Sequence, residues 1–454
     1  MKYIPHAYQE RASRFILDNR YCALFLDMGL GKTVSTLTAI DQLQNDYLET
    51  DRVLVIAPKS VALNTWSAET AKWDHLNHLR LSIVMGTAAQ RRKALDQPAD
   101  IYVTNRDNTK WIVDQYKDEP WPFDTIVLDE SSSFKNPSSQ RFKALRKIRP
   151  QVRRIIELTG TPSPNGLMDL WSQIWLLDRG ERLGKTLTDY RREFFMAGRR
   201  NGAVIYEWIP RKGSRERISK RIADVSMSMQ AADYLNMPDV IDAGMTIALP
   251  PTEMRSYQAF EKEQLMELDG KDIEAVTAAT LTNKLLQYTG GAVYDDLHNW
   301  HEVSTAKLEA LHDIVESTEE PVLIYYQYQS ELERIHRELH ELNPENFHGE
   351  PEILERWNRG EIRVLTAHPA SVAYGLNMQQ GGHIIIWYTP TWNLELYQQA
   401  NARLNRQGQT KPVILYHIIA AGTMDERVMA SLSGKHGSQT ALLQHIKELR
   451  EKRL

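Results

Sequence analysis

Cysteine is almost absent: the 454 residues hold one, Cys22. A single thiol excludes an internal disulfide framework and a cysteine-based zinc site, and it fits a reducing compartment. Long apolar runs are also missing. "HIIIWY" at 383–388 is among the longest, far short of the roughly 20 residues that span a bilayer. The opening "MKYIPHAYQE" carries no apolar signal core. The expectation is a soluble, cytoplasmic protein with no membrane contact. Positive charge is not in excess, since 55 Lys and Arg stand against 59 Asp and Glu, a net −4. Any contact with nucleic acid must therefore come from local basic patches. The fourteen histidines are scattered; His75 and His78 lie close together but no further zinc-ligand pattern accompanies them. No nucleophile-elbow sequence occurs.

What is present is a series of short runs rich in Val, Ile and Leu: "YCALFL" (21–26), "RVLVIA" (52–57), "ADIYVT" (99–104), "FDTIVLDE" (123–130) and "RRIIELTG" (153–160). They lack polar alternation, as strands buried on both faces of a parallel sheet do. Helical segments such as "KTVSTLTAIDQL" (32–43) separate them, which predicts a doubly wound α/β domain. The pattern stops over 179–235, which is charged and poor in apolar runs. It turns helical over 252–288 and resumes near 303. There Leu308, Leu311 and Val315 share one helix face, and Leu332, Ile335, Leu339 and Leu342 share another. Strands are predicted at 322–326, 362–366, 383–388 and 412–418. The fold class expected is α/β, with two parallel-sheet lobes and helical, basic insertions.

Three motifs carry chemistry. "DMGLGKT" (27–33) follows a strand and opens a helix, the setting of a phosphate-binding loop. Lys32 would reach β- and γ-phosphates, and Thr33 would ligate magnesium. The strict pattern asks for glycine at Leu26, so Gly29 is expected to make the turn. "TIVLDESS" (125–132) ends a strand in two carboxylates. Asp129 would hold magnesium through water, and Glu130 would orient or deprotonate an attacking water. Alone, the pair reads equally as an acidic helix start. "LTGTPSPN" (158–165) would place Thr159 and Thr161 at the phosphate end of a cleft, although by itself it reads as a turn.

Together with "AYQ" (7–9), "VLVIAPKSVALNTW" (53–66), "GLNMQ" (375–379) and "PTWNLELYQQANARLNRQGQ" (390–409), these motifs stand in the order found in superfamily-two motors. The chain resembles the Swi/Snf-like branch, and within it the compact proteins of phages and prophages, over nearly its whole length. The resemblance implies two RecA-like lobes with ATP hydrolysed between them, magnesium as cofactor, and translocation along DNA, usually duplex. Nucleosome remodelling is not carried over. The lobes are expected at 1–178, with a basic helical or hairpin insertion at 179–235, and at 303–454, with a linker and helical insertion at 236–302. A phage-encoded chain would work in the host cytoplasm. Gln9 matches the adenine-reading position, with Tyr8 beside it. Met28, Gly29, Leu30, Gly31, Lys32, Thr33 and Gly375 complete the nucleotide set. Lys59, Thr104 and Asn105 match backbone contacts of the first lobe, and Trp392 and Asn393 a segment coupling DNA to the second. Arg403 and Arg406 match arginine fingers for the γ-phosphate, on one face if their segment is helical. Two departures stand out. Ser131 and Ser132 follow the acidic pair where Ala-His is usual. His368, Val372 and Ala373 replace a hydroxyl and paired glycines before "GLN".

Two stretches are locally basic. "RFKALRKIRPQVRR" (141–154) has seven cations and no acid, and reads first as a solvated charged face. Residues 191–221 hold ten cations against three acids, with Phe194, Phe195, Tyr206 and Trp208 interleaved and an Asn-Gly hairpin signal. Arg199 and Arg200 there are candidates for tracking a DNA backbone without sequence preference. "QTALLQHIKELREKRL" (439–454) reads as an amphipathic helix packed on the second lobe, with Leu442, Leu443, Ile446 and Leu449 on one face. A strand-separating DNA or RNA helicase is the alternative within enzymes. An ATP-gated clamp or loading factor with little turnover is the alternative outside them. Protein partners are not indicated.

Overall fold

Runs of Val, Ile and Leu too short to cross a membrane pair side by side instead. The computed structural model describes the chain except residues 199, 202–203, 206, 236, 269–274, 296, 373–375 and 452–454, with backbone alone at 200–201, 204, 264–268, 275–279 and 438–451. It divides into two compact units, Met1–Leu235 together with Lys435–Leu454, and Asn236–Gly434.

In the first unit the strands are β1 (Tyr21–Leu26), β2 (Val53–Ala57), β3 (Leu81–Ile83), β4 (Ile101–Asn105), β5 (Thr125–Asp129), β6 (Arg154–Thr159) and β7 (Ser226–Met229). They form one sheet in the order β7-β1-β6-β5-β2-β4-β3, every neighbour parallel. Every residue of β2, β4, β5 and β6 is buried, which is why these strands read as unbroken apolar runs. On one face Phe25, Ile56, Leu128 and Ile155 pack against Phe142, Trp171 and Ile174. Each such side chain contributes about 1.5–3 kcal/mol by leaving water. Helix α1 (Ala7–Asp18) precedes the sheet, α2 (Lys32–Asn45) leaves the end of β1, and α3 (Leu170–Asp178) follows β6.

In the second unit the strands are β8 (Val240–Asp242), β9 (Met245–Ile247), β10 (Val322–Tyr325), β11 (Glu345–Phe347), β12 (Val364–Ala367), β13 (Ile384–Trp387) and β14 (Val413–Ala420). The order is β8-β14-β13-β10-β12-β11, with β9 also on β14, again all parallel. Alternation serves two cores: Val322, Ile324 and Ile386 enter one, while Leu323, Tyr325 and Trp387 enter the other. The fold is thus α/β with two parallel-sheet, RecA-like lobes, as the sequence predicts. Helices Pro251–Leu268 and Ala275–Thr289 fill the expected helical stretch.

Some elements differ from expectation. The segment 179–235, read as insertion alone, supplies β7, which pairs with β1 at the sheet edge. Its sequence, Ser-Met-Ser-Met, has no β-branched residue to announce a strand. Leu342 lies beyond the helix Gln329–Glu338, in a following turn, and is exposed, whereas Leu332, Ile335 and Leu339 are buried. The predicted hairpin forms, with Arg200–Asn201 antiparallel to Val204–Ile205; its turn, and the side chains of Arg199, Arg200 and Tyr206, lie outside the described residues. The last helix runs Met424–Glu451, and the side chains of Leu442, Leu443, Ile446 and Leu449 lie outside the described ones. Among the described residues no helix is long and apolar enough to cross a membrane.

Candidate functional site

Parallel neighbours β1, β6 and β5 send their following loops to the same edge of the first sheet, and the three motifs meet there. After β1 the chain turns through Gly29 (φ +85°) and Gly31 (φ +69°), left-handed conformations that glycine adopts without a Cβ clash. Leu26 is the last strand residue and fully buried, so it takes no part in the turn, and Gly29 does what the strict pattern asks of an earlier glycine. The Lys32 ammonium bends back over its own loop and donates to the Leu26 carbonyl at 2.8 Å. Met28 and Thr33 are half-buried, and Leu30 points inward with no exposure.

Gln9 meets this loop from α1. Its Oε1 accepts the His6 amide at 2.9 Å, which turns Nε2 toward Gly31. A Cβ at Gly31 would fall 2.4 Å from that Nε2 and displace the end of the Gln9 side chain, while the positive φ itself calls for glycine. Tyr8 stacks on His6, ring centroids 5.2 Å apart, and tilts against Tyr234 at 5.3 Å. Nothing in the sequence pointed to Tyr234. It belongs to a segment tied to the loop by the Ala231 amide, which donates to Asp27 Oδ2 at 3.0 Å. Burial pushes the Asp27 carboxyl up from its ordinary value, opposed by that amide and by Lys32.

Asp129 ends β5, and its Oδ2 accepts the indole N–H of Trp66 at 3.0 Å. Trp66 is fully buried and had no assigned role, although a buried indole generally finds an acceptor. Burial pushes the Asp129 carboxyl up, with the Lys32 charge and the Trp66 hydrogen bond pulling the other way. Glu130 is one of the few non-glycine residues at positive φ, +54°. That conformation costs about 1–3 kcal/mol unless surroundings impose it. The Thr159 hydroxyl donates to Glu130 Oε2 at 3.4 Å and accepts the Thr161 amide at 3.0 Å. The Thr161 hydroxyl is buried without a hydrogen-bond partner among the described residues. Gly160 lies between the loops; a Cβ there would stand 3.3 Å from the Leu26 carbonyl and 3.7 Å from Lys32 Nζ.

The candidate nucleic-acid contacts separate. Lys59 is exposed just after β2. Thr104 is fully buried and its hydroxyl donates to the Val84 carbonyl at 2.9 Å, so the expected surface contact fails: the group already has an internal acceptor. Asn105 caps the following turn, its Oδ1 accepting the Asn108 amide at 3.0 Å, and is nearly buried. In the basic stretch 141–154, Arg149 and Arg154 are buried; Arg154 donates to the Asn19 carbonyl and to Glu49. Arg149 donates to the Leu176 and Leu177 carbonyls. In 191–221, Phe194 and Phe195 belong to the core and do not offer stacking faces, and Arg221 is paired with Glu193.

In the second unit, Asn393 caps helix α4 (Leu394–Asn401) through Oδ1, which accepts the Leu396 amide at 3.2 Å. Trp392 packs in part against the cluster holding Leu394 and Val428. The helix ends before Arg403, so the arginine pair stands in turns and not on a helical face. The two still converge: Arg403 Nη1 and Arg406 Nη1 both donate to the Leu376 carbonyl, at 2.8 and 2.7 Å. Gly375 lies outside the described residues.

The SNF2-related domain model matches residues 8–289, and the helicase conserved C-terminal domain model matches 306–408. Putative protein p41 of Acyrthosiphon pisum secondary endosymbiont phage 1 is 39% identical over 98% of this chain and 99% of its own length. The putative ATP-dependent helicase/translocase YwqA of Bacillus subtilis is 24% identical over 92% of this chain. The uncharacterized ATP-dependent helicase MG018 of Mycoplasma genitalium is 24% identical over 91%. The chain spans 46% and 40% of those two longer proteins. A solved Sulfolobus solfataricus SWI2/SNF2 ATPase core in complex with dsDNA is 22% identical, with a TM-score of 0.47 over 99% of this chain and 97% of that one. The chain belongs to the SNF2-related family, the Swi/Snf-like branch of superfamily-two ATP-dependent helicases and translocases.

Proposed function

We propose that the chain is an ATP-driven motor that tracks along the backbone of duplex DNA with little sequence preference. One observation carries the reading: the Lys32 loop, the Asp129–Glu130 pair and the Thr159–Thr161 loop meet at one edge of a parallel sheet. The lobes are assigned to 1–178, with an insertion at 179–235, and to 303–454, with a linker and insertion at 236–302. The site of action is the cytoplasm, or the host's if the chain is phage-encoded.

Each residue has a physical task. Gly29 and Gly31 let backbone amides turn to the phosphates, and Lys32 exchanges the Leu26 carbonyl for phosphate oxygens. Gln9 and Tyr8 hold the adenine. Glu130 orients the attacking water, with Thr159 fixing its carboxylate. The Thr33 hydroxyl and Asp129 carboxylate are hard oxygen donors suited to magnesium. When bound, that ion neutralises charge developing on the phosphates. Arg403 and Arg406 act as fingers on the γ-phosphate. Lys59 remains the first-lobe candidate for a DNA phosphate, Asn393 the second-lobe one.

Displacement of a triplex-forming strand from duplex DNA tests the reading. ATP-dependent displacement without opening of a forked duplex is expected, with binding that weakens steeply as salt rises. Fork opening without triplex displacement would replace it with a strand-separating helicase. A single round of hydrolysis without steady turnover would replace it with a clamp.

A further inference from the structure

The serines that follow Asp129 and Glu130 replace residues usual in the family, and they are fully buried. Buried hydroxyls need partners. The Ser131 hydroxyl donates to Gln173 Oε1 at 2.9 Å. Gln173, on α3, is itself fully buried, and its Nε2 donates to the Pro162 carbonyl at 2.7 Å and the Asp169 carbonyl at 2.8 Å. Only an amide nitrogen can donate to two carbonyls, so the orientation of the Gln173 amide is fixed by chemistry. A single side chain therefore joins the turn after β5 to the loop after β6.

This joint sits one residue beyond Glu130, whose left-handed backbone must be held by its surroundings. On the site side, Thr159 already links the two loops by donating to the Glu130 carboxylate. Ser131, Gln173 and Pro162 form a second link on the buried side. Swinging Glu130 away from the Thr159 loop breaks the long, part-buried hydrogen bond to Thr159, and relaxing its turn strains the buried joint through Ser131 and Gln173.

We propose that Gln173 is a positioning residue for Glu130, acting through Ser131 and the Pro162 carbonyl to hold the catalytic carboxylate in register with the Thr159–Thr161 loop. It touches neither nucleotide nor water and works by limiting where Glu130 can stand. The inference rests on the reading of Glu130 as the water-orienting group.

The test is DNA-stimulated ATP hydrolysis by the full chain carrying Gln173→Met, Ser131→Ala, both together, or Glu130→Gln. Gln173→Met keeps the volume and removes both ends of the joint; Ser131→Ala removes one end and leaves the helix intact. Each single variant is expected to lower kcat about tenfold or more, as small misplacements do, with KM for ATP within about twofold. The double variant should fall no further than the worse single one, because the two residues form one link. Should Gln173→Met fail to fold, Ser131→Ala decides alone. Wild-type kcat in folded Ser131→Ala, with Glu130→Gln inactive, would overturn the positioning role and leave the catalytic reading standing. Full activity in Glu130→Gln would overturn both.

Discussion

Arg403 and Arg406 share one acceptor, the carbonyl oxygen of Leu376, although no helix carries them together. The shared carbonyl holds the two guanidinium groups side by side. Arg403 is further fixed by its Nε, which donates to the Gln399 carbonyl at 3.0 Å, and burial lowers the Arg406 pKa from its ordinary value. In the proposed finger role, two adjacent cations would stabilise charge developing on the γ-phosphate. Arg406→Ala should bind ATP with affinity close to wild type and lose about a thousandfold in turnover. Near-normal turnover in the variant would remove the finger assignment.

Gly31→Ala should weaken ATP binding strongly. The added Cβ meets Gln9 Nε2 at 2.4 Å, and the +69° φ disfavours any side chain. An ATP analogue titrated by fluorescence or calorimetry should show at least a hundredfold weaker binding, about 2.7 kcal/mol. Gly29→Ala should be milder, since its Cβ would only touch Leu235 at 3.8 Å, but it still suffers the positive φ. Equal affinities for wild type and Gly31→Ala would contradict the loop's assignment.

Trp66→Phe tests Asp129. The indole hydrogen bond favours the ionised carboxylate, so removing it raises a pKa that burial already raises. In the proposed role Asp129 is ionised when it holds magnesium, so the acid limb of the kcat profile should move to higher pH in the variant. A limb that stays put, or moves down, would show that Asp129 does not control it.

Glu157 offers a stability test. It is fully buried in β6, and burial holds its carboxyl well above the usual range, with Asp178 adding to the rise and Arg149 opposing it. A folded-state pKa above the unfolded one makes ionisation favour unfolding. The penalty is absent below about pH 4.3, the ordinary carboxyl value, and grows as pH rises toward the folded pKa. Glu157→Gln removes that penalty. Its melting temperature should match wild type near pH 4 and exceed it at pH 7, by about 2–4 °C for each kcal/mol gained. A gap independent of pH would disprove the linkage.

The main strands of both sheets were legible because they are buried on both faces and so stay apolar throughout. β7 was not, because Ser-Met-Ser-Met gains its place from pairing with β1 and not from its own propensity. The turn after β1 was readable since Gly29 and Gly31 mark it locally. Trp66, Tyr234 and Gln173 were not, because each meets a partner 42 or more residues away in sequence. Thr104 misled for the opposite reason: a hydroxyl at a strand end looks available until Val84 is found to accept from it.

The central claim, ATP hydrolysis coupled to duplex DNA, is tested most directly by steady-state ATPase measured in parallel with duplex DNA, single-stranded DNA and RNA, on wild type and Lys32→Ala. Duplex DNA should stimulate wild type most strongly, and Lys32→Ala should be inactive under every condition. Hydrolysis that no nucleic acid stimulates, or that survives in Lys32→Ala, would contradict the account.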